Sequence, residues 1–317
     1  MRIAVMGLGL IGGSVARRLA PDHDVRVWDT DAATRDLAAA RGLTVAEDPA
    51  ADLVVLATPM DALPAVLSGL SPGDGPIVTD VGSVKVPVLA AARAAGLAGR
   101  YVGGHPMTGL EQSGFEASDP GLLDDAVWVL TLEEDTDLDR WLTVAGVVTA
   151  AGCRVLPATA ADHDEAQARI SGLPHLLASA LAVAGANGGP LAGAIAAGSF
   201  RDGTRVAGTR AEFVAALCDG NREALARVLD ETLAELSAAR DALAGGGSVR
   251  PLAEAGNRAA RALSPSAGTA VSLDRTTPDL RERLLALGTA GGTVDAVTER
   301  EIRGQVSRGA GAGKLPL

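Results

Sequence analysis

The first thirteen residues, MRIAVMGLGLIGG, constrain the fold of this chain more than any other segment. An apolar strand pattern runs into glycines spaced as Gly7-x-Gly9-x-x-Gly12, and a helix-like run follows. A residue without a Cβ permits a sharp turn at Gly7, close approach of a pyrophosphate at Gly9, and close packing of helix on strand at Gly12. The pattern predicts a dinucleotide whose phosphates lie on the helix N-terminus at Leu10 and Ile11.

An acidic residue stands where a dinucleotide-binding unit needs one. The second strand pattern, Asp24–Trp28, ends in Asp29, about 20 residues past the middle glycine, where a carboxylate binds ribose hydroxyls. Because Thr30 rather than an arginine follows, a 2′-phosphate would meet repulsion without a compensating cation. The sequence therefore favours NAD over NADP. The alternative, an ordinary glycine turn and a solvated Asp29, would require strand, glycines and acid to coincide by chance.

Length and composition restrict the class of protein. The 317 residues exceed one typical core and suggest two domains. Hydrophobic residues make up 47% but aromatics only 2%, which favours helix-rich packing of small side chains. A net charge of −11 argues against nucleic acid or an anionic membrane as partner. We find no run of about 20 apolar residues, no signal peptide and no metal-ligand spacing, so we expect a cytoplasmic protein without a metal site.

Alternating strand and helix patterns continue to about residue 157. The apolar run Leu53–Ala57 reads as a buried strand that ends at Thr58 and Pro59, which we assign to the cofactor site because strand C-termini face the ligand. Further strands are expected at four places: Ile77–Asp80, Tyr101–Gly104, Ala126–Thr131 and Arg154–Leu156. Residues 1–157 are therefore predicted to form an α/β domain, a doubly wound Rossmann fold with a parallel sheet.

The pattern becomes helical after Pro157. Asp162, with Glu165 three residues on, predicts the N-cap of a long helix that reaches about Ala186. Helical patterns continue to residue 263 with breaks near Pro190 and at Gly198–Gly203, so residues 158–263 are predicted to form an all-α domain. Residues 264–317 are expected to be an extension with one amphipathic helix at 278–287 and a poorly ordered Gly/Ala-rich end.

Two polar clusters follow predicted strands. Ser83, in TDVGSVK, offers a hydroxyl to a substrate oxygen or an imidazole, although on this pattern alone capping of the next helix is the favoured role. His105, in GGHPMTG, is fixed by Pro106 and flanked by glycines that leave room for a ligand. With an ordinary pKa near 6.5 it can accept a proton at neutral pH, and a structural histidine is the alternative.

The helical half carries further candidates. Arg201 and Arg205, in SFRDGTRVA, could grip a carboxylate through paired hydrogen bonds, or could be solvated surface charges. His175 shares a helix face with Ser171 at a spacing of four, and on that pattern alone a structural role is favoured.

Five motifs occur in order over about residues 1–262: GLGLIG, TDVGSVK, GGHPMTGLEQSG, ARISGLPH and SFRDGTRVA. Together they resemble the prephenate dehydrogenase (TyrA) family, which includes arogenate dehydrogenases. The resemblance implies NAD-dependent oxidation of the ring 4-hydroxyl of prephenate, coupled to loss of the ring carboxylate as CO2. The product would be 4-hydroxyphenylpyruvate, or tyrosine if arogenate is the substrate.

The resemblance also implies roles for individual residues. His105 matches the histidine that takes the hydroxyl proton, and Ser83 the serine that positions hydroxyl and imidazole. Arg205 matches the arginine that binds a substrate carboxylate. Glu111 matches an acidic residue near the pocket mouth, and His175 the second histidine of an S-H-L-P-H signature.

The chain departs from that pattern at Gly172, which replaces the first histidine of the signature and is expected to enlarge or neutralise one wall of the pocket. Prephenate, arogenate and an amino-substituted analogue of prephenate therefore stay open as substrates. The roughly 50 residues after 264 are too few for the regulatory ACT domain that relatives often carry, so feedback control by tyrosine is not implied.

Other functions remain as alternatives. A β-hydroxyacid dehydrogenase would need a catalytic lysine in the helical half, yet residues 158–313 contain no lysine. A non-enzymatic nicotinamide sensor would not need Ser83, His105 and Arg205 together. The apolar helical half predicts a homodimer. For the enzymatic reading, His105 and Arg205 are expected to converge on one cavity.

Overall fold

The computed structural model describes residues 1–47, 50–110, 112–263 and 268–307. The chain divides into two compact units. Met1–His163 and Pro265–Leu317 belong to the first unit, and Asp164–Ser264 form the second.

A parallel six-stranded sheet forms the first half of the first unit. Its strands are β1 (Arg2–Met6), β2 (Asp24–Trp28), β3 (Thr44–Val45), β4 (Leu53–Leu56), β5 (Ile77–Asp80) and β6 (Tyr101–Val102), in the order β3-β2-β1-β4-β5-β6. The connecting helices are α1 (Leu10–Leu19), α2 (Ala32–Ala40), α3 (Leu63–Ser68) and α4 (Val86–Ala94). Residues such as Val5, Val27 and Val55, which lie side by side on neighbouring strands, are fully or almost fully buried. Both the strand order and the buried apolar strands confirm the predicted Rossmann fold class.

A second sheet begins where the sequence predicted one continuous strand, Tyr101–Gly104. The chain leaves the first sheet after Val102, and β7 (Gly104–Pro106) pairs antiparallel with β8 (Val127–Thr131). Helix α5 (Leu138–Ala150) then leads to β9 (Arg154–Ala158), which is parallel to β8. The expected single strand is thus wrong, because long-range pairing with β8 rather than local pattern decides where Gly104 lies.

Between the end of β9 and residue 263 the chain forms seven α-helices. They are α6 (Ala160–Gln167), α7 (Leu173–Asn187), α8 (Gly189–Ile195), α9 (Gly198–Thr204), α10 (Ala211–Gly220), α11 (Arg222–Ala244) and α12 (Arg250–Ala262). A π-helical turn, Ala168–Gly172, joins α6 to α7. Pro174 explains this turn, since it has no amide hydrogen to donate and its ring would clash with the carbonyl four residues earlier.

Two local expectations for this region are wrong. The N-cap is Thr159 rather than Asp162, because the Asp162 amide donates to Thr159 Oγ1 at 3.1 Å. The predicted break at Gly198–Gly203 is instead part of α9.

The second unit buries little apolar surface of its own. Its core cluster consists of Ala168, Ala224, Leu225 and Val228. Many large apolar side chains are exposed, among them Leu181, Val183, Leu191, Ile195, Phe213, Leu236 and Leu243. Within the described residues one helical stretch, Ala160–Asn187, has the length and apolar composition of a membrane span.

The chain then returns to the first unit. Strands β10 (Gly268–Asp274), β11 (Thr293–Val297) and β12 (Glu301–Ser307) extend the second sheet, whose order is β10-β12-β11-β9-β8-β7. Helix α13 (Leu280–Thr289) buries Leu284 and Leu287 in the main core. Residues 268–307 are thus an ordered part of the first unit. The predicted helix at 278–287 is confirmed as α13, but the three strands were not predicted, because β11 joins the sheet by pairing with the distant β9. The predicted flexible end, from residue 308, lies outside the described residues.

Candidate active site

The turn between β1 and α1 has the backbone geometry that its glycines predict. Gly7 has a φ of 96°, and a Cβ there would lie 2.6 Å from the Ala57 carbonyl oxygen. A Cβ on Gly12 would lie 2.0 Å from the Gly7 carbonyl oxygen. A Cβ on Gly9 would meet no described atom within 4 Å, so this side of the turn is open to a ligand at the N-terminus of α1. Leu10 and Ile11 form the first turn of that helix.

Asp29 follows β2 and is held by two backbone amides. Its Oδ2 accepts from the Leu8 amide at 2.7 Å, and its Oδ1 accepts from the Asp31 amide at 2.9 Å. The carboxylate is therefore fixed beside the glycine turn, which suits ribose hydroxyls and disfavours a 2′-phosphate.

The sequence analysis did not identify one cation close to Asp29. Arg35 lies over the Trp28 ring, 4.3 Å from its centroid, and donates to the carbonyls of Asp29 at 2.7 Å and Thr30 at 2.9 Å. The guanidinium is committed to the backbone in this arrangement and does not neutralise the Asp29 carboxylate.

The end of β4 presents a second polar group to the same edge of the sheet. Thr58 Oγ1 is buried and, among the described residues, has no hydrogen-bond partner, while the adjacent Pro59 is exposed. An orphaned hydroxyl is costly unless a ligand or water completes it. The glycine turn, Asp29 and Thr58 together fit a dinucleotide.

A buried carboxylate holds the two segments that carry Ser83 and His105. Asp80 accepts hydrogen bonds from the Gly82 amide at 2.7 Å, the Gly104 amide at 3.3 Å and the Tyr101 hydroxyl at 2.5 Å. Lys85 donates to Asp80 and, at 2.7 Å, to the Gly104 carbonyl. Because Gly82 precedes Ser83 and Gly104 precedes His105, the structure brings these two predicted residues to one network.

His105 is paired with a residue that the sequence analysis missed. Its Nδ1 lies 2.9 Å from Nε2 of His163, and the rings meet edge to face with centroids 5.1 Å apart. His163 lies on the first turn of α6 and is 4% exposed. Ala160, His163 and Gln167 have helical spacing, but two of the three are polar and their burial is seen only in the structure, so the pattern did not single out His163.

The surroundings of His105 favour a neutral imidazole. Burial lowers the pKa of His105 well below 6.5, and the neighbouring His163 and Lys85 lower that pKa further. At neutral pH the ring is therefore unprotonated and able to accept a proton.

The second unit holds the predicted substrate-binding residues His175 and Arg205. His175 lies in α7, and its Nδ1 is buried without a partner in the described part of the chain. Arg205 is exposed and begins a 3-10 turn, Arg205–Gly208, that packs against α7. Glu111 lies outside the described residues.

Gly172 lies at the end of the π-helical turn and packs against α11. A Cβ at this position would lie 3.0 Å from Leu225 Cδ1 in α11. The leucine occupies the space that the missing side chain leaves.

This chain is similar in sequence and structure to known proteins along most of its length. Residues 13–156 match the model for the nucleotide-binding domain of prephenate dehydrogenase, and residues 159–251 match the model for its dimerization domain. A cyclohexadienyl dehydrogenase of Zymomonas mobilis is 34% identical over 76% of this chain and 88% of its own length. A prephenate dehydrogenase of Lactococcus lactis is 32% identical over 65% of this chain, which covers only 61% of that protein. A crystal structure of a Corynebacterium glutamicum protein described as a putative prephenate dehydrogenase superimposes with a TM-score of 0.82 at 36% identity, covering 93% of this chain and 99% of that one.

Proposed function

The chain belongs to the prephenate dehydrogenase family, and we propose that it catalyses the NAD-dependent oxidative decarboxylation of prephenate to 4-hydroxyphenylpyruvate, a step of tyrosine biosynthesis. The observation that carries this proposal is the half-buried His105, whose lowered pKa keeps it neutral and whose neighbour Gly104 is hydrogen-bonded to Asp80, the last residue of β5 in the sheet that bears the dinucleotide turn. A neutral imidazole there can take a hydroxyl proton while the cofactor is bound nearby.

NAD, when bound, accepts the hydride that leaves C4 of the ring. His105 takes the proton from the 4-hydroxyl, and Ser83 orients that hydroxyl. The electron pair of the bond to the ring carboxylate moves into the ring, CO2 leaves and the ring becomes aromatic. The phenol oxygen then regains a proton. Since aromatisation drives the loss of CO2, the protein mainly has to align the substrate and move one proton.

We assign the binding of a substrate carboxylate to Arg205, since an exposed guanidinium can make paired hydrogen bonds to it. His175 supports this assignment with a buried, unpaired Nδ1 in the helix against which the Arg205 turn packs.

Arogenate is the second candidate substrate. Gly172 lacks the imidazole of the family signature, and Leu225 presents an apolar surface in its place. A site that lacks this imidazole has one group fewer for distinguishing a keto acid from an amino acid.

The experiment that tests the activity measures reduction of NAD and NADP by purified protein with prephenate and with arogenate. Reduction of NAD with either substrate supports the proposal, and no turnover with both would refute it. His105→Asn should keep the affinity for NAD and lose at least about a hundredfold in kcat, as expected when a general base is removed.

We further propose a homodimer formed through the helical unit. The exposed side chains of Val183, Leu191 and Ile195 form part of an apolar surface that one copy leaves uncovered, and a second copy would cover it rather than a membrane. A cytoplasmic location is part of this proposal. Light scattering should give twice the chain mass of 31.8 kDa, and a monomer at micromolar concentration would contradict it.

A further inference from the structure

His163 is buried, and its ring contacts the ring of His105. Nε2 of His163 and Nδ1 of His105 are 2.9 Å apart, so one of these nitrogens donates and the other accepts. No described residue makes a hydrogen bond to the other nitrogen of His105, its Nε2. The hydrogen bond therefore decides which nitrogen of His105 carries the proton.

The tautomer matters for the proposed reaction. If the proton resides on Nδ1 and is donated to His163, then Nε2 of His105 has a lone pair for the substrate hydroxyl. If His163 donates instead, the proton of a neutral His105 resides on Nε2, and that nitrogen cannot act as a base.

We propose that His163 is a positioning residue that holds His105 in the tautomer with the proton on Nδ1, so that Nε2 is the proton acceptor. This inference rests on the proposed function for its catalytic meaning, but the tautomer can be measured without substrate. When His105 takes the substrate proton at Nε2 and becomes a cation, its Nδ1 hydrogen still points at the His163 lone pair.

The fold keeps His163 in place independently of His105. The His163 amide donates to the Thr159 carbonyl at 3.0 Å, and Thr159 caps the first turn of α6. Glu133 Oε1 accepts from the Ala160 amide at 2.7 Å, which fixes the same turn from the loop after β8. Because hydrogen bonds hold the first turn of α6 in place, the His163 ring is suited to orienting the ring of His105.

The test compares three variants of the full-length protein. His163→Leu removes the acceptor, whereas His163→Gln places an amide oxygen near the position of Nε2. His23→Gln is the matched control, because His23 is another partly buried histidine and has no role in the proposed reaction.

The first measurement is nitrogen-15 NMR of the histidine rings, which is tractable because the chain has only four histidines. We expect His105 to be protonated at Nδ1 and unprotonated at Nε2 in the parent and in His23→Gln. His163→Leu should change this pattern. A parent protein with the proton of His105 on Nε2, or an unchanged pattern in His163→Leu, would overturn the inference.

The second measurement separates kcat from KM. His163→Leu should lower kcat at least about tenfold with KM and NAD affinity within about twofold, and His163→Gln should lose less. An unchanged kcat in His163→Leu would contradict a positioning role. So would a rise in KM by the same factor as the fall in kcat. Absence of turnover in the parent with both substrates would refute the proposed function alone, since the NMR result stands without it. Should His163→Leu fail to fold, the parent spectrum and His163→Gln still decide the question.

Discussion

The Asp80 carboxylate and the Lys85 ammonium form an ion pair in which neither side chain has any exposure to solvent. Such a pair is tolerated only when further hydrogen bonds satisfy the remaining donors and acceptors. Here these bonds come from the Tyr101 hydroxyl and from the backbone of Gly82 and Gly104. The same charge pair thus determines the conformation of both segments that lead into the proposed catalytic residues.

Replacement of Asp80 by Asn should destabilise the protein strongly. The substitution leaves the Lys85 ammonium buried without a counter-charge, and we expect the free energy of unfolding to fall by about 3–5 kcal/mol. The double variant Asp80→Asn/Lys85→Met should recover part of this loss, because it removes the orphaned charge. Urea denaturation of both variants checks the prediction, and a loss below about 1 kcal/mol for Asp80→Asn would mean that the pair is not buried as described.

The lowered pKa of His105 predicts how stability depends on pH. In the unfolded chain the ring takes up a proton near pH 6.5, whereas burial, His163 and Lys85 keep the folded ring neutral to lower pH. Below pH 6.5 the unfolded state therefore binds more protons, and the stability falls by up to about 1.4 kcal/mol per pH unit until the folded ring also titrates.

His105→Asn should remove this contribution to the pH dependence. Denaturation curves at pH 7.5 and 5.5 for the parent and the variant provide the comparison. An equal loss of stability in both proteins on acidification would show that His105 does not have a lowered pKa.

Alanine substitutions at two helical glycines test whether α13 packs against β9 as the structure shows. A Cβ on Gly288 in α13 would lie 1.7 Å from the Pro157 carbonyl oxygen, whereas a Cβ on Gly256 in α12 would meet nothing within 4 Å. Gly288→Ala should therefore separate α13 from β9 and cost several kcal/mol, on the order of a core disruption. Gly256→Ala should stabilise by about 0.5–1 kcal/mol, because alanine is the better helix former. Similar midpoints for the two variants in thermal unfolding would contradict this docking.

The sequence predicted those features whose conformation depends on residues close together in the chain. The glycine turn, Asp29 and the strand ends at Thr58 and Ser83 follow from backbone geometry and from a burial pattern that a short window contains. The Rossmann fold class follows from the same signals and is confirmed.

Features that depend on distant pairing could not be predicted. The break of the expected strand at Gly103 depends on β8, and the order in residues 268–307 depends on β9. His163 was overlooked for a related reason, since its hydrogen-bond partner His105 is 58 residues away in the sequence. The assigned roles of Ser83, His105, His175 and Arg205 stay predictions.

The C-terminal helix α13 is connected to His163 through a short series of hydrogen bonds. Arg281 donates to the carbonyls of Glu133 and, at 2.7 Å, of Thr136. Glu133 in turn accepts from the Ala160 amide at the start of α6, one turn before His163. Loss of the guanidinium should loosen this loop and hence the turn that carries His163.

Arg281→Ala should therefore lower both stability and kcat, whereas Arg283→Ala on the same helix should do neither. Arg281 makes charged hydrogen bonds to partly buried carbonyls, worth about 1.5–3 kcal/mol each. Among the described residues, Arg283 pairs with Asp279 alone, on the surface, where such pairs contribute about 0–1 kcal/mol. Urea denaturation and steady-state kinetics of the two variants make the comparison. If Arg281→Ala lost stability but kept the parent kcat and the parent tautomer of His105, α13 would support the fold without supporting the catalytic histidine.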